Sequence, residues 1–235
     1  ASLSQPFNEQ FTLSAGTTLD ATRSTDYELR AQGEDDYVEQ VTLSFPLGAT
    51  YNTVKAPLDP QAGNRVSLGV EPGISFGDGE ASYTRITSSA STYRKISDRL
   101  VAAVRAEAGT FLGDEGVPVD RKFFAGGGGS VRGFEYQSLS PTDSDGNIIG
   151  GDAMFAASLE LRWRKSERWG YVAFVDSGYA ADSIDEAFGE MRTSFGLGVR
   201  FYPGFGPVRF DIATPLDRRD GEDPVQIYVS IGQSF

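Results

Sequence analysis

Residues Arg65–Gly77 read RVSLGVEPGISFG, and their alternation sets the fold. Val66, Leu68, Val70, Ile74 and Phe76 fall on one side of this stretch. Arg65, Ser67, Gly69, Glu71, Gly73, Ser75 and Gly77 fall on the other. A period of two is the signature of a strand, whose successive side chains point to opposite faces. The pattern returns near the other end of the chain. In Met191–Phe201, Thr193, Phe195, Leu197, Val199 and Phe201 oppose Arg192, Ser194, Gly196, Gly198 and Arg200. In Val208–Ile212, Val208, Phe210 and Ile212 oppose Arg209 and Asp211. The last stretch sets Val225, Ile227, Val229 and Ile231 against Gln226, Tyr228, Ser230 and Gly232.

Working outward gives about ten strands, over residues 7–20, 37–54, 64–78, 81–97, 98–112, 152–164, 169–180, 190–202, 207–216 and 224–235. No convincing amphipathic helix interrupts them, and Ile184–Phe188 reads as a turn. The connections alternate in length. Ser97-Asp98, Ser166–Arg168 and Pro203–Gly206 are short, whereas Leu112–Gly151 runs to about forty residues. Asp182–Glu190 and Asp217–Asp223 are polar and acidic. Short turns on one side and longer loops on the other predict an all-β, antiparallel, up-and-down transmembrane barrel. Residues 1–235 read as a single barrel domain with no repeat above the hairpin.

Composition narrows the chemistry. The chain carries 21 basic and 33 acidic residues, a net charge of −12, which disfavours nucleic acid as a partner. It has no cysteine and no histidine. That removes disulfides, Ser-His-Asp and Cys-His catalysis and the commonest zinc ligand. Apolar residues make up 39%, thin for a soluble core but ordinary for a barrel in which every second residue faces lipid. No stretch approaches the ~20 apolar residues of a membrane helix. Ala1-Ser2 reads equally as a processed N-terminus or as another kind of chain end.

Charged residues recur opposite the aliphatic face: Glu160, Arg162, Asp176, Arg200, Arg209 and Asp211 among them. A soluble barrel would turn them outward, and a membrane barrel would turn them into its lumen. Alternation is symmetric and leaves both open. Trp163, Trp169 and Tyr171 flank a short turn, as an interfacial aromatic girdle would.

One loop segment stands apart. Residues 123–134 read FFAGGGGSVRGF, with Gly126, Gly127, Gly128 and Gly129 running into Val131, Arg132, Gly133 and Phe134. This segment resembles the glycine-led Val-Arg-Gly-Phe/Tyr loop of the outer-membrane assembly and translocation barrels, the BamA/TamA superfamily. Pro57–Gly63 looks like that family's Leu-Asp-Pro-x-x-Gly turn, and Phe174–Gly178 resembles its Phe-x-Asp-x-Gly strand motif. Gly196–Pro207 and the strand after it resemble the last hairpin of TamA-like members. Phe235 resembles the terminal aromatic signal of outer-membrane barrels.

The resemblance implies a loop folded into the lumen, with Arg132 paired to Glu160 and Asp176 on the wall. The glycines would then be a packing device rather than a linker. It also implies residence in the outer-membrane lipid and no cofactor or metal. The implied partners are unfolded outer-membrane proteins or autotransporters, and a periplasm-spanning partner protein. The seam would lie at the last strand, where Tyr228, Gly232 and Phe235 stand. The resemblance implies a barrel of sixteen strands, against the ten or so counted here, within the usual even-numbered range. This chain therefore resembles its C-terminal part, or a shortened relative. Ten strands closing alone would leave a lumen narrow for a forty-residue loop.

Other signals weigh less. Asp143–Asn147 (DSDGN) lacks the spacing and closing glutamate of a calcium loop and reads as a polar turn. The acidic Asp114-Glu115 and Asp182–Glu186 read as solvated loop tips before they read as cation sites. Paired carboxylates among so many arginines read as ion pairs rather than as a glycosidase centre. The leading expectation is a non-enzymatic factor assisting insertion or secretion of outer-membrane proteins or autotransporters. The alternatives are a two-partner-type secretion pore and a truncated or engineered structural barrel without transport.

Overall fold

The computed structural model describes residues 1–25, 37–77, 80–113, 117–204 and 206–235. Among these described residues, thirteen strands build one antiparallel sheet. They are β1 (Ser2–Pro6), β2 (Phe11–Gly16), β3 (Thr18–Thr25), β4 (Tyr37–Ser44) and β5 (Leu47–Asn52), then β6 (Gly63–Gly77), β7 (Ala81–Ser97) and β8 (Leu100–Gly113). After the long loop come β9 (Ala153–Arg164), β10 (Trp169–Ala181), β11 (Arg192–Phe201), β12 (Val208–Pro215) and β13 (Gln226–Ile231). Ile184–Gly189, expected to be a turn, is a short helix, α1. Ser183 caps it by accepting the N–H of Glu186.

Neighbours in sequence pair with each other from β6 to β13. Before β6, two long strands are each cut in two. β2 pairs with β5 and β3 with β4, while both β4 and β5 pair with β6. One cut falls at Phe45-Pro46, where proline has no N–H for the ladder. The other falls opposite, at Thr17, where the Gly16 N–H donates to the Pro46 carbonyl at 2.8 Å.

The first expected strand, 7–20, is corrected. Residues 7–10 form a turn in which Asn8 Oδ1 accepts the N–H groups of Gln10 and Phe11, each at 2.8 Å. The strand proper starts at Phe11, and β1 precedes the turn. The last strand ends at Ile231, short of the expected Phe235, because Gly232 adopts φ +90° and turns the chain. β1 and β13 end the sheet and do not pair with each other among the described residues.

Burial settles which face is wet. Glu160, Arg200 and Asp211 are 0% exposed, whereas Leu161, Phe210 and Ile212 on the opposite faces are 42–46% exposed. A soluble protein does the reverse. Charge inside and aliphatic outside is the transmembrane barrel arrangement. Trp163, Trp169 and Tyr171 lie exposed at the short-turn end, with Trp163 against Tyr171 (5.9 Å between rings) and Trp169 against Phe201 (5.0 Å).

The long connection does not hang free. Its residues Phe123, Ala125, Val131, Phe134 and Leu139 lie on the inner face of the sheet, packed with Ala156 of β9 and Ala180 of β10. Thirteen strands whose end strands do not pair among the described residues form a wider wall than the ten-strand closed lumen that would be narrow for the loop.

Candidate functional site

The glycine segment is fixed by its own hydrogen bonds. Phe123 and Gly151 exchange two backbone bonds of 2.9 Å, which tie the two stems of the loop together. The Leu139 N–H donates to the Ala125 carbonyl (3.0 Å), and the Ala180 N–H of β10 donates to the Leu139 carbonyl (2.9 Å). The Gly126 N–H donates to Ser130 Oγ at 2.9 Å. Gly126 and Gly133 have φ of +104° and +95°, a region where a Cβ is unfavourable. A Cβ on Gly133 would also run into Ser194. Gly128 gives close access to the Tyr228 ring, and Arg105 donates to the Gly129 carbonyl at 3.2 Å.

This backbone delivers Arg132, 1% exposed, to the wall. Its Nε donates to Asp176 Oδ2 (2.7 Å) and its Nη2 to Asp176 Oδ1 (3.0 Å), a two-pronged pairing. Its own backbone N–H donates to the same Oδ2 at 3.1 Å. Nη1 stands 2.7 Å from Glu160 Oε1 and donates to Asp211 Oδ2 at 3.1 Å. Nη2 also reaches Ser158 Oγ at 3.3 Å, and Ser158 Oγ donates to Asp176 at 2.5 Å. Ser194 Oγ donates to the Arg132 carbonyl. The guanidinium lies 3.4 Å from the centre of the Phe174 ring, a cation–π platform.

Strand alternation explains this convergence. Asp176 of β10 is in register with Ser158 of β9 and Ser194 of β11, all facing inward. Gly196 lies opposite Phe174, and a Cβ there would meet the ring. Gly198 lies opposite Asp211 and leaves room for the Asp211–Arg200 pair. Glu160 is shared with Arg162, whose Nε lies 2.7 Å from Oε2.

Glu160 and Asp176 both meet Arg132. Asp211, Ser158, Ser194 and Phe174 join them and were not assigned to the site from sequence. Asp211 was legible as a lumen charge but not as a partner. Tyr228 of β13 meets the loop tip: its hydroxyl accepts the Gly133 N–H (2.9 Å) and donates to the Phe134 carbonyl (3.0 Å). Phe235 lies inside, 5.0 Å from the Arg162 guanidinium and 6.1 Å from the Tyr93 ring. Gly129 meets nothing where a Cβ would stand.

Arg164 pairs with Asp59, away from Arg132, whereas Arg200 pairs with Asp211 and so shares that carboxylate with Arg132. Asp143 closes its own turn by accepting the N–H groups of Asp145 and Asn147. Among the described residues, no cluster of three potential metal ligands forms. Asp114, Glu115 and the Phe205 of the last-hairpin motif lie outside the described residues.

An outward-aliphatic barrel sheet with a long loop pinned inside by a buried arginine defines a class: outer-membrane barrels whose lumen is filled by their own loop. The chain belongs to the Omp85 superfamily, whose domain it matches over residues 1–235. It is an integral outer-membrane barrel. It is 36% identical over 152 residues to the outer membrane protein assembly factor BamA of Nitratidesulfovibrio vulgaris, covering 61% of this chain and 19% of that protein. The crystal structure of Haemophilus ducreyi BamA lacking POTRA domains 1–3 superposes with a TM-score of 0.76 at 21% identity, over 96% of this chain and 52% of that one. CdiB from Acinetobacter baumannii gives 0.62 at 15% identity, over 96% and 39%. These two show the fold. The chain spans about a fifth of the BamA sequence it matches and about half of the BamA structure. The leaning toward TamA-like members goes beyond these relatives.

Proposed function

We propose that residues 1–235 act as a single barrel domain of an outer-membrane assembly factor, helping unfolded outer-membrane proteins or autotransporters enter the membrane. No bond chemistry is involved in this reading. A periplasm-spanning partner protein would deliver the substrate. The observation that carries it is the outer edge of β13, unpaired among the described residues and held by Tyr228 to the buried loop tip. An unpaired edge offers backbone groups to an incoming strand, the usual route of β-augmentation. Ile227, Val229 and Ile231 keep the outward face of that edge apolar and 59–70% exposed, so a strand added there continues the lipid-facing surface.

The test is insertion of a urea-unfolded outer-membrane protein into vesicles containing the purified chain. Acceleration over vesicles carrying an unrelated closed barrel supports the proposal. Equal rates in the two contradict it.

A second reading, a secretion pore, draws on the lumen beside β6–β8. A cavity of about 360 Å³ there is lined by Ser67, Thr87, Ser89, Arg85 and Glu107. The pore reading requires translocation of a soluble passenger across the vesicle, which the assembly reading does not.

A further inference from the structure

The two halves of the sheet are joined at the short-turn end by something other than strand pairing. After Gly232 the chain leaves the sheet, with the Gly232 N–H donating to the Pro207 carbonyl at 2.7 Å. The Gln233 N–H then donates to the carbonyl of Leu58 (3.1 Å), in the turn between β5 and β6. The Gln233 side chain bridges three elements. Its Nε2 donates to Asp59 Oδ1 at 2.9 Å and to the Tyr202 hydroxyl at 3.3 Å, and its Oε1 accepts from Arg200 Nε at 2.9 Å. Asp59 is held from the other side by Arg164 Nη1 at 3.3 Å, which stacks on Tyr202. Leu58 lies against Gly206 and Gly232, and a Cβ on either would approach its side chain. Pro60 and Pro207 are fully buried, which is unusual for hairpin turns.

The tail then continues inward. Arg162 Nη2 donates to the Phe235 backbone oxygen at 3.1 Å, and the Phe235 ring lies over Arg162 of β9 and beside Tyr93 of β7. Ser234 and Phe235 form one wall of a lumen cavity of about 270 Å³, with Arg65, Ser67, Ser91 and Arg105 around the rest. The turn from one half and the tail from the other thus cross the same mouth.

We propose that Pro57–Gly63 and Gly232–Phe235 form a latch that closes the short-turn mouth of the lumen and must part for that mouth to open. The latch fixes the end of β13 to the far side of the sheet while leaving its edge unpaired. The contacts that cross from turn to tail are a few hydrogen bonds made by one glutamine and one small apolar contact at Leu58, which suits a reversible closure. This inference does not depend on the assembly reading; it concerns the mouth whatever passes through it.

The chain has no cysteine, so one disulfide can be placed without background. Leu58→Cys with Gln233→Cys joins two residues whose backbones already share a hydrogen bond, a spacing compatible with a disulfide. The test uses the full chain in lipid vesicles and planar bilayers. The expected result is near-complete disulfide formation in the folded protein and an ion conductance several-fold lower oxidised than reduced. Asp59→Ala with Gln233→Ala should raise conductance several-fold above the parent. The comparison of oxidised with reduced states uses one and the same folded sample, so a folding defect in the alanine pair leaves it decisive. Failure of the cysteines to join in the folded protein would overturn the latch. So would equal conductance in the oxidised and reduced states.

Discussion

The hydroxyl of Tyr228 accepts the backbone N–H of Gly133, placing an edge-strand side chain in direct contact with the tip of a loop 95 residues earlier. The same hydroxyl donates to the Phe134 carbonyl. The edge strand and the buried loop therefore move together or lose both bonds. Tyr228→Phe leaves the Gly133 N–H and Phe134 carbonyl without their partner. We expect a loss of about 1–3 kcal/mol, the range for stranding buried polar groups. Hydrogen exchange should quicken both in β13 and at Gly133–Phe134. Tyr136→Phe, at a tyrosine 78% exposed, should change neither.

Arg132→Lys tests the shape of the buried cation rather than its charge. A lysine keeps one positive charge but cannot span both oxygens of Asp176 while reaching Asp211. Arg132→Ala leaves Glu160, Asp176 and Asp211 facing one another. Breaking a buried ion pair from one side destabilises by about 3–5 kcal/mol. Denaturant unfolding in detergent should rank parent above Arg132→Lys above Arg132→Ala. A lysine variant equal to the parent would show that charge alone suffices.

Gly196→Ala places a methyl against the Phe174 ring that supports the Arg132 guanidinium. Overpacking of this kind destabilises by about 1–3 kcal/mol. The effect should shrink in the Phe174→Leu background, where the ring is gone. Thermal unfolding of the four proteins in the cycle measures it.

The loop after β12 carries its own charge lock. Arg192 Nη1 and Nη2 donate to Glu222 at 2.9 and 3.0 Å, and its Nε donates to Asp217 at 2.6 Å. The hydrogen bonds from Arg192 hold the Glu222 carboxyl below its ordinary value. A carboxyl lowered by folding adds stability that is fully present above the unfolded value, near 4.3. That stability is lost as pH falls through the lower folded value. Proteolysis of residues 217–223 should therefore rise on acidification below about pH 4, measured against the near-4.3 unfolded value. Glu222→Gln should show the faster cleavage already at neutral pH, with less change on acidification.

Much of this was legible in the sequence, for identifiable reasons. Alternation marked β6 and β9–β12 because each turns one charged and one aliphatic face. It missed β1, whose SLSQP offers a single large apolar residue, Leu3, and a proline. It could not orient the faces, since the pattern is the same inside out, and burial of Glu160 and Asp211 was needed. It placed Arg132 near Glu160 and Asp176 only through a resemblance. Ser158 and Ser194 became visible only once the hairpins were zipped and Asp176 fell in register with both. The latch was not legible at all, because it joins a turn to a tail across the lumen and no local pattern links Asp59 to Gln233.

The pairing of Arg132 with Asp176 inside the barrel holds the buried loop to the wall. A double-mutant cycle of Arg132→Ala and Asp176→Ala, read by denaturant unfolding of the folded chain in detergent, addresses that contact directly. The expected coupling is about 1–3 kcal/mol, as for residues sharing a buried network. Losses that simply add, within about 0.5 kcal/mol, would place the arginine away from the aspartate and contradict the account.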